Sequence, residues 1–329
     1  MGWWMHFAYC CAGTTVKGMV LENSHEGAGR VSGAAHSGGT GQDGKRLTGV
    51  ALMLGSGLSN QAGASAAALA FPVIGPVGVV AVRQWVAAGV LWAVGRPRLA
   101  SFTAAQWRPV LGLALVFAAM NLSLYMAIDR IGLGLAVTLE FLGPLAVALS
   151  GSRRRVDALC AVAAAGAVVV LARPSPSTDY LGIALALLAA VCWGSYILLN
   201  RVVGRRLPGL EGPAAAAAVS GALYFPVGVL ALWLRPPTSA SMGCALAAGV
   251  LSSAVPFLAD LLALRRVPTQ FFGVFMSINP VFAALIGLVV LGQHLDVTAW
   301  LAMLVIVGAN AVAVTTASPT VTTTNWSVS

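Results

Sequence analysis

The chain has 329 residues, 58% of them hydrophobic and only 9% charged, with a mean hydropathy of +0.86. Soluble domains carry roughly 25% charged residues, so composition excludes a water-soluble fold. The net charge of +9 comes largely from arginines grouped in short loops between apolar runs, with no basic stripe interleaved with aromatics, which argues against nucleic acid as a partner.

In chain order, residues 1–46 read as a disordered tail. Gly27 to Gly44 is rich in Gly, Ser and Ala, and Met1–Cys11 is apolar but only about half a spanning length. Ten apolar runs follow, near 47–68, 72–94, 109–128, 131–150, 156–172, 181–200, 214–234, 243–263, 270–291 and 297–316. Each is about 17–23 residues, within the range of membrane-spanning helices. Turn chemistry marks their ends at Phe71-Pro, Arg96-Pro, Arg173-Pro-Ser-Pro, Leu207-Pro-Gly, Arg235-Pro-Pro and Val267-Pro. Residues 317–329 form a polar tail.

Charge sets the expected orientation. Eleven arginines (Arg96, Arg98, Arg108, Arg153, Arg154, Arg155, Arg201, Arg205, Arg206, Arg265 and Arg266) follow the even-numbered spans. The opposite loops hold Arg130, Arg173 and Arg235, each alone, which places both termini in the cytoplasm. An internal repeat runs through the same map. Met126-Ala-Ile-Asp-Arg-Ile131 resembles Leu262-Ala-Leu-Arg-Arg-Val267, and Gly143-Pro-Leu-Ala-Val-Ala-Leu149 resembles Asn279-Pro-Val-Phe-Ala-Ala-Leu285. The offset of 136 residues is five spans, and an odd number inverts one half relative to the other in the membrane. The expected fold is an all-α polytopic membrane protein of ten transmembrane helices. Its two inverted five-helix repeats are 47–172 and 181–316.

The polar residues inside these spans are the candidates for chemistry. Glu140 lies within an otherwise uncharged run, Leu133 to Leu149, where a carboxylate costs about 2.5–3.5 kcal/mol to insert. It reads as a proton carrier or ammonium site, or as a structural partner of Arg83. Span two and span four both run inward, so Arg83 lies roughly 10 Å and Glu140 roughly 14 Å deep, close enough to meet. Arg83 reads equally as a site for a substrate carboxylate or as that ion pair. Asn60, Gln61, Asn121, Tyr125, Trp193 and Tyr196 would line a polar cavity, although each alone is commonly helix-packing glue. Trp193 and Tyr196, three apart on one face, would form an aromatic wall or clamp. Pro144 and Pro280, at matched repeat positions, are expected hinges or static kinks. Asp260, near Arg265 and Arg266, has an interface or gate role. The cysteines Cys10, Cys11, Cys160, Cys192 and Cys244 contain no C-x-x-C pair, and no metal-ligand cluster or catalytic grouping appears.

Several segments carry a family resemblance: Phe71-Pro-Val-Ile-Gly-Pro-Val-Gly-Val79 with Arg83, Gly134 to Leu149 around Glu140, and Ser152-Arg-Arg-Arg-Val-Asp157. Cys192-Trp-Gly-Ser-Tyr-Ile197, Leu251-Ser-Ser-Ala-Val-Pro-Phe257 and Arg266 to Met276 complete the set. On these the chain resembles the EamA branch of the drug/metabolite transporter superfamily, and within it the bacterial threonine/homoserine exporter group, over about residues 48–316. The resemblance implies an inner-membrane carrier that exports small neutral amino acids on the proton gradient, with no cofactor. Two positions depart from it: Asn279 and Gln293 stand where similar exporters usually carry Glu.

The expected function is therefore secondary export of a small amino acid by proton antiport and alternating access, with protons and the lipid bilayer as the other partners. A larger metabolite or cationic drug on the same fold is the alternative cargo. An enzyme ranks far behind, because the loops hold little besides arginine, glycine and proline. The sequence leaves monomer and homodimer both open.

Overall fold

The structure is a computed structural model that describes residues 39–150, 155–171, 179–207, 209–256, 259 and 277–316. All regular structure among them is helical. The elements are α1 (Gly39–Gly95), a short 3-10 turn (Leu99–Ser101), α2 (Ala104–Ile131), α3 (Leu133–Glu140) and α4 (Leu142–Leu149). They continue with α5 (Arg155–Leu171), α6 (Tyr180–Arg206), α7 (Glu211–Leu234) and α8 (Ser239–Gly249). A π-helical segment, Val250–Ala254, extends α8, and α9 (Asn279–Leu291) and α10 (Val297–Thr316) close the described chain.

The apolar part of α1, Thr48–Gly95, would be about 72 Å long if straight, more than twice a bilayer core. It is not straight. Gly63 packs on Ser252 while Val86 packs on Gly249, so two points 23 residues apart in α1 meet nearly the same level of α8. The chain doubles back between them, at Gly75, whose φ of 69° and ψ of 162° are non-helical. Only glycine adopts that φ cheaply, and the extended ψ suits a residue that precedes a proline, here Pro76. The expected break at Phe71-Pro72 is thus corrected by a few residues: both lie inside the first arm. Pro72 removes one backbone donor without requiring a reversal, whereas Gly75-Pro76 permits one. The helix also starts at Gly39, so residues 39–46 belong to it rather than to the expected tail. Propagating an existing helix fixes one residue per new hydrogen bond, which poor helix formers tolerate.

The second correction is in span four. The run 131–150 is two helices with a turn at Phe141. Pro144 lacks the N–H that would bond to the carbonyl of Glu140, and the ladder opens there.

Burial is inverted relative to a soluble protein. Leu159 (73% exposed), Val289 (81%) and Trp233 (76%) face outward, while Gln61, Arg83, Gln84, Asn121, Thr138, Glu140 and Asn310 are buried. Apolar surface facing lipid and polar groups facing protein is the arrangement a bilayer imposes. The interior is largely alanine and glycine, which lets backbones approach: Gly143 abuts the backbone of Ala190, and Gly228 abuts Ala81.

The two arms of α1 pack mainly on α7, α8 and α9, and α2 packs on α6 and α7. α2 and α6 are antiparallel, with Ile131 against Gly182 and Gly112 against Leu199. That register sets Asn121 level with residues around Val191. α6 begins at an Asp179 cap, whose carboxylate accepts from the Gly182 N–H (2.8 Å) and from Arg130 (2.7 Å). The cap bond first, and the arginine second, hold the Asp179 carboxyl below the usual aspartate range.

Candidate functional site

Four elements bring charge and aromatic rings to one level near the middle of α6. From the second arm of α1 comes Arg83, 5% exposed. Its guanidinium donates to Asn121 Oδ1 at 2.5 Å and lies 5.1 Å from the centroid of the Tyr125 ring. Asn121 is itself anchored one helical turn back, donating to the Phe117 carbonyl at 2.9 Å. Glu140 ends α3 and is fully buried, and neither carboxylate oxygen has a hydrogen-bond partner among the described residues.

Arg83 and Glu140 make no salt bridge. Among the described residues the salt bridges are Arg98–Glu211 and Arg130–Asp179, both near helix ends. The direct Arg83–Glu140 pair, one of the two sequence readings, is therefore absent. The Arg83 guanidinium and the Glu140 carboxyl are both buried without contacting each other, and ionisable groups so placed call for a compensating group or ligand.

On α6, Trp193 stands edge-on to Phe141 with centroids 4.8 Å apart. The expected Trp193–Tyr196 clamp is instead two separate ring pairs. Tyr196 packs on Phe117 (6.2 Å) and its hydroxyl accepts from Asn200 Nδ2 at 2.7 Å. The two residues share a helix face, but α6 crosses α4 at Gly143–Gly194, so Trp193 meets the α3–α4 turn while Tyr196 meets α2. Two more buried polar atoms lack partners, the Tyr125 hydroxyl and the Trp193 indole nitrogen. Phe71, Phe117 and Phe141 complete the rings around this site; none was a site candidate from the sequence, because an apolar residue in an apolar helix carries no chemical signal.

The other candidates form a second layer. Gln61 Nε2 donates to Asn279 Oδ1 at 3.4 Å, and the Ser252 hydroxyl donates to the carbonyl of Asn60 at 3.2 Å. Counted from the turn at Gly75, this layer lies roughly 10 Å farther along the first arm than Arg83 does along the second. Asn60 and Gln61 are therefore separated from the Arg83 site, and Asn279 ties α9 to α1. Ser252 was missed, although Pro256 gave a signal. Its absent N–H frees the Ser252 carbonyl, and the Val255 N–H reaches back to Val250 to make the π turn.

Pro144 stands in the first turn of α4 and Pro280 in that of α9. Asp260 lies outside the described residues. Gln293 Oε1 accepts from the Leu133 N–H at 2.8 Å, capping α3 from the loop between α9 and α10. It lies between Gly132 and Gly287, beside a cavity of about 340 Å³ that also exposes Asp129, Arg130 and His294. That cavity contains none of the expected site residues.

Comparison with known proteins gives a consistent result. Residues 180–315 match the EamA-like transporter family. The threonine/homoserine exporter RhtA of Salmonella typhimurium strain LT2 is 37% identical over 262 residues, 77% of this chain and 86% of its own. RhtA of Escherichia coli K12 is 36% identical over 271 residues, 79% of this chain and 89% of its own. A solved crystal structure at 21% identity superposes with a TM-score of 0.53, covering 84% of this chain and 98% of its own, a likeness of fold. The chain belongs to the EamA-like transporter family, in its RhtA-like branch, and is a membrane transporter rather than an enzyme.

Proposed function

We propose that the protein exports small amino acids of the threonine and homoserine kind across the bacterial inner membrane, by proton antiport and alternating access. The observation that carries this is the pair of buried, unbridged charges. Arg83 matches an α-carboxylate, which its planar guanidinium can hold through paired hydrogen bonds. Glu140 matches an α-ammonium when ionised and carries a proton when the site is empty. A zwitterion placed between them neutralises both, and no single-charge cargo does. RhtA relatives named as threonine/homoserine exporters agree with that cargo.

The architecture we infer is ten spans in two inverted repeats. The arms of α1 supply spans one and two, α3 with α4 supplies span four, and the remaining helices supply one each. The offset of 136 residues carries the Phe141 turn onto the turn at Ser277 and Pro144 onto Pro280. Matched interruptions at matched positions are what inverted-repeat carriers use to place a site between halves. Pro144 and Pro280 then act as the hinges, and both termini lie in the cytoplasm.

The test is efflux of preloaded radiolabelled threonine from proteoliposomes under an imposed pH gradient, with Glu140→Gln alongside. Saturable efflux in the wild type that follows the gradient, and efflux in the variant that ignores it, is the expected result. Gradient-driven efflux unchanged by Glu140→Gln removes the proton from this residue. The rings of Phe141 and Trp193 beside Glu140 also suit an organic cation. Proton-driven efflux of lipophilic cations without amino-acid flux establishes that reading instead.

A further inference from the structure

We infer that Trp193 reads the side-chain hydroxyl of the cargo and so restricts transport to small hydroxy amino acids; this rests on the amino-acid reading above. Trp193 is 2% exposed, and its indole N–H is one of the few buried polar groups without a partner among the described residues. Packing fixes it in place. The ring is held at 87° to Phe141, the residue after Glu140, and the close Gly143–Gly194 crossing sets the position of α6 there. A buried donor left unpaired is costly, and evolution of a tight alanine- and glycine-rich interior could have placed phenylalanine there at no such cost.

The chemistry of the ligand decides what this donor meets. An indole N–H donates only. A zwitterionic amino acid offers it two kinds of acceptor, the carboxylate and any hydroxyl on the side chain; the ammonium offers none. The carboxylate is drawn to Arg83, and Tyr125 stands at that end, with its ring under the guanidinium. Trp193 packs instead on Phe141, in the turn that directly follows Glu140. With the ammonium at Glu140, the acceptor left for the indole is the hydroxyl oxygen. Valine and norvaline fill the same volume as threonine and homoserine but put a methyl group against the N–H and leave it unpaired. A site built around a hydrogen bond to a hydroxyl rejects such analogues far better than a merely apolar pocket selects between them.

The experiment is competition of unlabelled threonine and valine, and separately of homoserine and norvaline, against labelled threonine. It uses the purified full chain in proteoliposomes, wild type and Trp193→Phe. The wild type is expected to prefer each hydroxy amino acid by about tenfold or more, the worth of one neutral hydrogen bond plus the unpaired donor it avoids. Trp193→Phe keeps a ring on Phe141 and is expected to reduce both preferences to within about twofold while the affinity for valine holds. A wild type that does not distinguish threonine from valine overturns the proposal without any variant. So does a variant that keeps the preference, or one that loses both ligands equally, which makes Trp193 a wall. Absence of any threonine or valine binding in the wild type overturns the amino-acid reading itself, and this inference with it.

Discussion

Arg83 is held by Asn121 and the Tyr125 ring, neither of which carries a formal charge, so its cationic charge remains available to a ligand. Arg83→Gln keeps a donor for Asn121 and removes the charge. Threonine affinity is expected to fall by about 10- to 150-fold, the worth of a charge-assisted hydrogen bond, measured by the same competition assay. Arg83→Lys recovers only part of it, because an ammonium cannot present two parallel donors. At this scale the sequence was informative wherever a charge stood in an apolar run. Glu140 and Arg83 were legible for that reason, since the insertion cost marks them before any fold is known. Their separation was not legible. Depth along two helices allowed contact, but the azimuth of each side chain is set by how α1, α2 and α3 pack, and packing directed Arg83 to Asn121.

Helix ends account for the next level of behaviour. Gln293 satisfies the first free N–H of α3 from a different part of the chain, and α3 ends at Glu140. Gln293→Ala leaves that donor without its cap and is expected to destabilise the protein by about 1 kcal/mol, read as a lowered midpoint in thermal unfolding in detergent. Gln293→Glu, by contrast, brings a negative charge to a helix N-terminus and is expected to hold or raise the midpoint at neutral pH. Asp179 gives a pH signature. Its carboxyl is held below the ordinary range, so its contribution is complete above about pH 4 and is lost as pH falls through the depressed value. Asp179→Asn should therefore unfold at a lower temperature than wild type at pH 7, and the two curves should converge as pH is lowered below about 4. The breaks themselves were half legible. Pro144 announced an interruption in span four, yet the turn falls at Phe141, because a missing N–H frees a carbonyl four residues earlier and the chain can bend anywhere in that turn. Gly75-Pro76 was equally visible as a dipeptide, but Phe71-Pro72 competed with it, and the non-helical backbone at Gly75 together with the doubled contacts on α8 decides between them.

For the molecule as a whole, the arginine bias and the internal offset both predict a handed arrangement in the membrane that can be measured directly. Single cysteines at His294 and at Gly209, on a background lacking native cysteines, should react from opposite sides with a membrane-impermeant maleimide in intact cells. His294→Cys should label from outside and Gly209→Cys only after permeabilisation. Labelling of both from one side contradicts the inward-terminus topology. Membrane class and helix content were plain from composition, because a bilayer requires long apolar runs. Which helices touch was beyond it, since alanine and glycine dominate every interface and make the runs resemble one another.

The two arms of α1 find most of their neighbours in α7, α8 and α9, far later in the chain, and fewer in α2, which follows directly. Translation delivers them in the opposite order to that need. At about 5–20 residues per second, roughly ten to thirty seconds separate synthesis of Gly95 from synthesis of the π segment that clasps Asn60. Through much of that interval the hairpin sits in lipid with Gln61 and Gln84 lacking the Asn279 and Ser220 side chains that later bond them, so its biogenesis depends on being inserted and kept soluble in the membrane before its partners exist. Buried polar residues that the finished fold satisfies are, during its birth, the protein's greatest exposure to quality control.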